Sequence, residues 1–193
     1  MDFAFSAEHD GVRKLVRDFA AREIRPGIQE NDRRGRFDGS VLSSMGKLGL
    51  LGVCIPVTYG GAGMDYVSLG IVCEELEYVD TSARVIMSVH VGLNSLALFQ
   101  WGTEAQKQRF LIPQARGQRI AAFGLTEPDA GTDVAALRAT ARRDGDSYVL
   151  NGEKNFITNG PQADWSIIFA FTDKSKGHRG ISAFLVHKDT PGY

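Results

Sequence analysis

Cysteine is nearly missing: Cys54 and Cys73 are the only two in a chain of 193 residues. Two thiols are too few for a disulfide framework, and neither stands at metal-ligand spacing from any of the four histidines. Both are expected as small buried apolar side chains in a reducing compartment, with no metal site. An excess of one charge sign is missing too, since 22 Lys and Arg stand against 23 Asp and Glu for a net charge of −1. That balance excludes the broad electrostatic footprint of a nucleic-acid or anionic-membrane binder, so a polyanionic ligand must be held by local design. Internal repeats, low-complexity segments and flexible linkers are absent as well. No apolar run approaches the ~18 residues of a membrane span, and the start Met1-Asp2-Phe3-Ala4-Phe5 lacks the charged-then-apolar order of a signal peptide. The expected compartment is the cytoplasm.

What is present is a hydrophobic fraction of 43% and a charged fraction of 23%, the balance of a globular chain with a sizeable core and one large or two small domains. The first half reads as helix. Ser6 is placed to cap a helix with apolar positions Val12, Leu15, Val16 and Phe19, ending before Pro26 because the residue ahead of proline avoids helical angles. A charged loop should follow, then a second amphipathic helix over Ser40 to Leu48 with Gly49 beyond its end. Leu50 to Val57 is a short apolar run closed by the glycine-rich word Tyr59-Gly60-Gly61-Ala62-Gly63. Tyr66 to Tyr78 has helical spacing, and Thr81 to Trp101 is apolar on more than one side, as the central helix of a bundle would be. Thr103 and Gln106 form a capping box for a short helix reaching Leu111 and stopped by Pro113.

At Arg119 the period changes. Ile120 to Leu125, Leu137 to Arg142, Ser147 to Leu150, Phe156 to Thr158, Trp165 to Phe171 and Ile181 to Val186 are short runs rich in β-branched and aromatic residues. Asp144-Gly145-Asp146 and Asn151-Gly152 between them are hairpin signals, because they supply positive φ at little cost. The expected fold is therefore α+β: an N-terminal all-α bundle (1–115), then an antiparallel, barrel-like β domain (116–193), incomplete at the C-terminus.

Two stretches concentrate the chemistry. Phe123-Gly124-Leu125-Thr126-Glu127-Pro128-Asp129-Ala130-Gly131-Thr132-Asp133 and Asn151-Gly152-Glu153-Lys154-Asn155-Phe156-Ile157-Thr158-Asn159-Gly160 each join a β-like run to a turn rich in Gly, Asp and hydroxyls. Such turns present backbone N–H groups to a ligand. Thr126 and Thr158 each close an apolar run, which suits a flat apolar ring with a polar edge.

With Pro56 to Gly63 and Gly180 to Val186 flanking them, these words closely resemble the flavin-dependent acyl-CoA dehydrogenase family, in order along the whole chain. The resemblance implies FAD as cofactor, with Phe123, Leu125 and Thr126 beside the pyrimidine part of the flavin. It places Phe156, Ile157 and Thr158 against the ring, and Gly131 and Thr132 near the pyrophosphate. Toward the substrate it implies Thr132, His178, His90 and Asn94. For His90 and Asn94 a satisfied core or interface role stands as the alternative, and for His178 a solvated basic loop. Phe156 stands where many members carry Trp, Thr132 where many carry Ser, and Asp129 where Gly is frequent. The first two keep ring packing and hydroxyl donation, while the third adds a negative charge near the expected pyrophosphate.

The activity implied is α,β-dehydrogenation of an acyl thioester, on CoA or an acyl carrier protein, with hydride passing to flavin N5. An electron-transferring flavoprotein would take the electrons from a homotetramer serving fatty acid metabolism. The family's catalytic base is a Glu in a C-terminal helical domain that lies after the end of this chain, so no catalytic residue is assigned here. The alternatives are a non-catalytic partner subunit or fragment, or an oxidase or monooxygenase on the same scaffold.

Overall fold

A computed structural model describes residues 4–193; the first three residues of the start compared above with a signal peptide lie outside them. The chain divides after Arg119 into a helical unit and a β unit. The helices are α1 (Ala7–Phe19), α2 (Ile28–Arg33), α3 (Ser40–Lys47), α4 (Tyr66–Glu77), α5 (Thr81–Ser88), α6 (Leu96–Trp101), α7 (Glu104–Gln106) and α8 (Ile112–Ala115).

Helix α1 starts at the capping serine. Ser6 Oγ accepts the N–H of His9, and His9 Nδ1 accepts the N–H of Ser6, which satisfies two donors that a helix start leaves open. Val12, Val16 and Phe19 are buried, while Leu15 remains 44% exposed. The expected stop before Pro26 does not occur. A π turn (Ala20–Ile24) and a 3-10 turn (Arg25–Gly27) carry the chain straight into α2, where a loop is expected from sequence. The Arg25 N–H reaches back to the Ala20 carbonyl, and this widened turn admits a residue that has no N–H of its own to place. Pro113 is passed in the same way. A π turn (Lys107–Leu111) joins α7 to α8, with the Ile112 N–H on the Lys107 carbonyl.

Helices α1 and α4 are tied by charge. Asp65 caps α4 by accepting the Ser68 N–H at 2.8 Å, and its other oxygen meets His9 Nε2 at 2.9 Å. The Ser68 N–H above all, with His9, holds the Asp65 carboxyl down at about 2. Further along, the buried Glu75 carboxylate receives Arg17 at 2.8 Å and Arg13 at 2.9 Å. Arg17, more than Arg13, holds Glu75 below the usual glutamate range in spite of its burial.

Residues Thr81–Trp101 form one continuous helix of 21 residues, with mean hydropathy 1.3 over its most apolar window. This corrects the expectation that no run nears membrane-spanning length. Ala83, Met87, Val91 and Leu98 are nonetheless buried within the helical unit, as in the core helix of a bundle. Its middle is another π turn (Val89–Ser95) that carries a polar cluster: His90 Nε2 lies 2.9 Å from the Gln114 carbonyl, and Gln114 Nε2 donates to Ser95 Oγ at 2.7 Å. The glycine-rich word folds back on the run before it. Ala62, Gly63 and Met64 donate to the carbonyls of Gly52, Ile55 and Val53. Gly61 comes so close that a Cβ would lie 2.1 Å from the Ile55 carbonyl oxygen, so only glycine fits.

The β unit contains β1 (Ala121–Gly124), β2 (Thr140–Asp144), β3 (Ser147–Asn151), β4 (Trp165–Phe171) and β5 (Ile181–His187). Hairpins pair β2 with β3 and β4 with β5, both antiparallel. The expected all-antiparallel barrel is not what forms. Strand β1 runs parallel to β4, β2 meets β4 in parallel at Thr140 and Phe171, and the sheet is mixed and open. Parallel pairing requires a long crossover, and the segments after β1 and β3 supply that length. Asn151-Gly152 makes no hairpin, and Phe156 to Thr158 makes no strand, because φ is 55° at Phe156 and 66° at Asn159. Leu137, Ala139, Ala141, Ala170 and Phe171 form the buried core beneath the sheet.

The Glu75 pairing yields the first prediction. Replacing Glu75 by Ala leaves the partly buried Arg13 with Glu74 alone and takes from Arg17 its carboxylate partner, and should cost roughly 1 kcal/mol at neutral pH. That is less than a wholly buried pair would lose, because Arg17 stands open to water. Since the folded carboxyl titrates below its ordinary value of 4.5, this stabilisation is present above that value and disappears as the pH falls through the folded one. Urea unfolding of both proteins at neutral and acid pH should show a gap that closes with acidification.

Candidate functional site

The segments that leave β1 and β3 meet. The first closes into a tight turn at Glu127-Pro128-Asp129-Ala130, with the Glu127 N–H on the Ala130 carbonyl at 2.9 Å and the reverse bond at 3.2 Å. Proline at the second turn position sets the φ that such a turn needs. The second segment crosses beside it, and the Asn155 N–H donates to the Thr126 carbonyl at 2.9 Å.

A buried ion pair lies beneath this crossing. Lys154 Nζ reaches Glu127 Oε1 at 2.7 Å and the Leu125 carbonyl at 3.0 Å. Glu127 also accepts the N–H groups of Arg138 and Ala139, at 2.5 Å and 3.0 Å. Burial by itself would raise the Glu127 carboxyl. The Lys154 ammonium and the two backbone donors outweigh burial and hold the carboxyl below its usual value. A carboxylate saturated in this way is a poor proton acceptor.

Two residues past Lys154 comes Phe156. Its N–H is taken by Asn155 Oδ1 at 2.9 Å, and its ring is 88% exposed. A bulky residue in the left-handed region is strained, and such strain survives only where the surroundings impose it. The turn that follows is fixed by Asn159, whose side chain donates to the Ala121 carbonyl at 3.3 Å and whose carbonyl accepts the Ala163 N–H at 2.8 Å.

The residues singled out from sequence fall into three places. Phe123 is half-buried on β1, its ring 5.0 Å from that of Phe169; Leu125 and Thr126 follow it, and Gly131 and Thr132 are exposed further along. Phe156, Ile157 and Thr158 lie on the crossing segment, joined to this group by the Asn155 to Thr126 bond. The hydroxyls of Thr126, Thr132 and Thr158 make no hydrogen bond among the described residues. His178 is exposed in the turn Lys174–Gly180 between β4 and β5. His90 and Asn94 belong to the helical unit and are wholly buried. Burial pushes His90 down to about 4, so it is neutral at ordinary pH. Asn94 Nδ2 donates to the Val89 carbonyl at 3.1 Å, within the same π turn.

Lys154 was not legible as a functional residue. It sits beside Glu153 in a polar turn, and only the crossing of the two segments separates their roles. Among the described residues no group of three or more His, Cys, Asp or Glu is placed to hold a metal ion. What the loops offer is neutral hydroxyls, backbone donors and an exposed aromatic face, a donor set for a flat heteroaromatic ligand.

A helical unit followed by a mixed sheet with this loop pair defines an α+β ligand-binding scaffold. Residues 6–118 match the family model described as acyl-CoA dehydrogenase, N-terminal domain, and residues 122–193 match that of the middle domain. The chain belongs to the acyl-CoA dehydrogenase family. It is 46% identical over 193 residues to the short-chain specific acyl-CoA dehydrogenase of Clostridium acetobutylicum, covering 100% of this chain and 51% of that protein. Butyryl-CoA dehydrogenase of Megasphaera elsdenii is 41% identical and superposes with a TM-score of 0.95, over 100% of this chain and 51% of that one. A glutaryl-CoA dehydrogenase of Mycobacterium smegmatis in complex with FADH2 is 37% identical, with a TM-score of 0.92 over 97% of this chain and 47% of that one. The chain thus spans about half the length of these relatives, 51% of the Clostridium protein.

Gly152 guards the entry to the second segment. Its φ is 152°, and a Cβ there would lie 2.6 Å from the Ala139 Cβ and 2.8 Å from the Ala139 Cα. Gly152→Ala should therefore displace the backbone that delivers the Ala139 N–H to Glu127, at a cost of about 2 kcal/mol or more. A thermal melt should show a lowered midpoint; an unchanged one would contradict this packing.

Proposed function

We propose that this chain provides the FAD-binding surface of an acyl-CoA dehydrogenase, an enzyme of fatty acid metabolism that carries out α,β-dehydrogenation of an acyl thioester. The observation that carries this reading is the loop crossing: the Asn155 N–H on the Thr126 carbonyl joins two segments that bear the exposed, positive-φ Phe156 and the Thr126 and Thr158 hydroxyls, which have no hydrogen-bond partner among the described residues. The donor set fits the cofactor. Hydroxyls and backbone N–H groups suit the heteroatom edge of a flavin, and an aromatic side chain suits its face. At Gly131 a Cβ would meet nothing within 4 Å, so backbone at Gly131-Thr132 is open to a pyrophosphate, with the Thr132 hydroxyl as a further donor. FAD, when bound, supplies the two-electron acceptor for hydride from the acyl chain.

The roles of this chain's residues follow. Phe123 and Leu125 line the ring edge on β1 and just beyond it, Thr126 and Thr158 donate to the edge heteroatoms, and Phe156 and Ile157 cover the face. Thr132 and the exposed His178 address the thioester's carrier, CoA or an acyl carrier protein. His90 and Asn94, both wholly buried, act on substrate only by shaping the π turn of the long helix. No residue here serves as the base that removes the C2 proton. Glu127 is excluded from that task by its three donors, and the resemblance puts the base in a further helical domain.

The names of the Clostridium and Megasphaera relatives support a short acyl chain as substrate. An electron-transferring flavoprotein is the acceptor that the family resemblance supports, with a homotetramer in the cytoplasm as the working form.

Titration of the purified protein with FAD tests the reading. Uptake should give a structured visible flavin band, and Phe156→Ala should weaken binding about tenfold, the equivalent of ~1.4 kcal/mol for an aromatic stacking contact. A protein that takes up no FAD would overturn the proposal.

A further inference from the structure

The Glu127 and Lys154 pair joins three separate backbone segments. One carbonyl and two N–H groups end on it: Leu125 just past β1, and Arg138 and Ala139 leading into β2. Lys154 itself belongs to the segment after β3. Packing does not account for such a pair, because a buried ion pair gains little over apolar side chains of similar volume. Apolar side chains could not, however, satisfy those three backbone groups, and each group left unmet inside the fold would cost free energy.

A second observation points the same way. Asn155, next to Lys154, both donates its N–H to the Thr126 carbonyl and caps the Phe156 N–H. The left-handed conformation of Phe156 thus depends on a residue whose neighbour is anchored from below. We propose that Glu127 and Lys154 are positioning residues, which lock the ends of β1 and β3 and the entry to β2 in one register. The Thr126 and Thr158 hydroxyls and the Phe156 ring are then set before any ligand arrives. The lock belongs to the chain itself; only its benefit to the cofactor rests on the function proposed above.

The test measures backbone hydrogen exchange in the full ligand-free chain, together with FAD titration, for Lys154→Met, Glu127→Gln and the double variant. Exchange at the amides of Arg138, Ala139 and Asn155 should quicken at least tenfold in each single variant, while the β4 and β5 amides keep their rates. The double variant should be no worse than the worse single one, as expected of groups that act as a unit. Glu127→Gln, which keeps the shape and loses the charge, gives the same readout if Lys154→Met does not fold. Unchanged exchange at the three amides would overturn the lock. Faster exchange with native FAD affinity would overturn its role in holding the ligand, and affinity lowered at least tenfold would support it. Absence of FAD binding by the unsubstituted chain would remove the cofactor reading, and the exchange rates would still decide whether the lock exists.

Discussion

A backbone N–H or C=O shut away from water, with no partner, costs about as much as a lost hydrogen bond. This chain meets that constraint repeatedly where its regular ladders break. The end of β1 leaves the Leu125 carbonyl inside, and Lys154 meets it; the approach to β2 leaves two N–H groups inside, and Glu127 takes both. Within the helical unit the His90 carbonyl, in the π turn at Val89–Ser95, receives both Ser95 Oγ and Gln114 Nε2. After Pro56, the N–H groups of Ala62, Gly63 and Met64 go to the carbonyls of Gly52, Ile55 and Val53. These irregular parts of the fold are therefore held by specific hydrogen bonds, as a scaffold that presents a ligand from loops requires.

The two units solve the same electrostatic problem in different ways. Glu75 and Glu127 are both buried carboxylates held below their ordinary range. Glu75 is answered by guanidinium groups of a neighbouring helix, and its work is to hold α1 against α4. Glu127 is answered half by an ammonium and half by backbone, and its work is to hold loops. Helices bring their backbone groups already paired, so side chains suffice between them. Loops do not, and the carboxylate must serve the backbone as well.

Much of the helical unit was legible, because apolar spacing and capping boxes are local signals. The capping at Ser6 and Thr103 and the long helix from Thr81 needed nothing beyond neighbours in sequence. Pro26 and Pro113 misled, because a π turn that admits proline has no composition of its own. In the β unit the strands were visible, but the parallel pairing of β1 with β4 was hidden in loop length. Phe156 to Thr158 has the β-branched and aromatic composition of a strand, and its positive φ is imposed from outside the segment. Of the candidate site, the hydroxyl positions Thr126 and Thr158 stand out in the sequence, but Thr126 lies just past β1 and Thr158 in a turn where a strand end is expected. The Lys154 anchor was not legible, because its partners stand at Leu125 and Glu127, across a loop, a hairpin and a turn.

The three π turns at Ala20–Ile24, Val89–Ser95 and Lys107–Leu111 also bear on how the chain tolerates length change. Each holds about one residue more than an α-helix would use over the same rise. Deleting that residue would let the turn close to an α-helix with the residues beyond it still in phase, whereas a deletion in the regular α-helix on either side would rotate everything beyond by about 100° about the helix axis. These turns are therefore the points of slack in the helical half, where the loss of a single residue should be absorbed far more readily than in the α-helical turns around them.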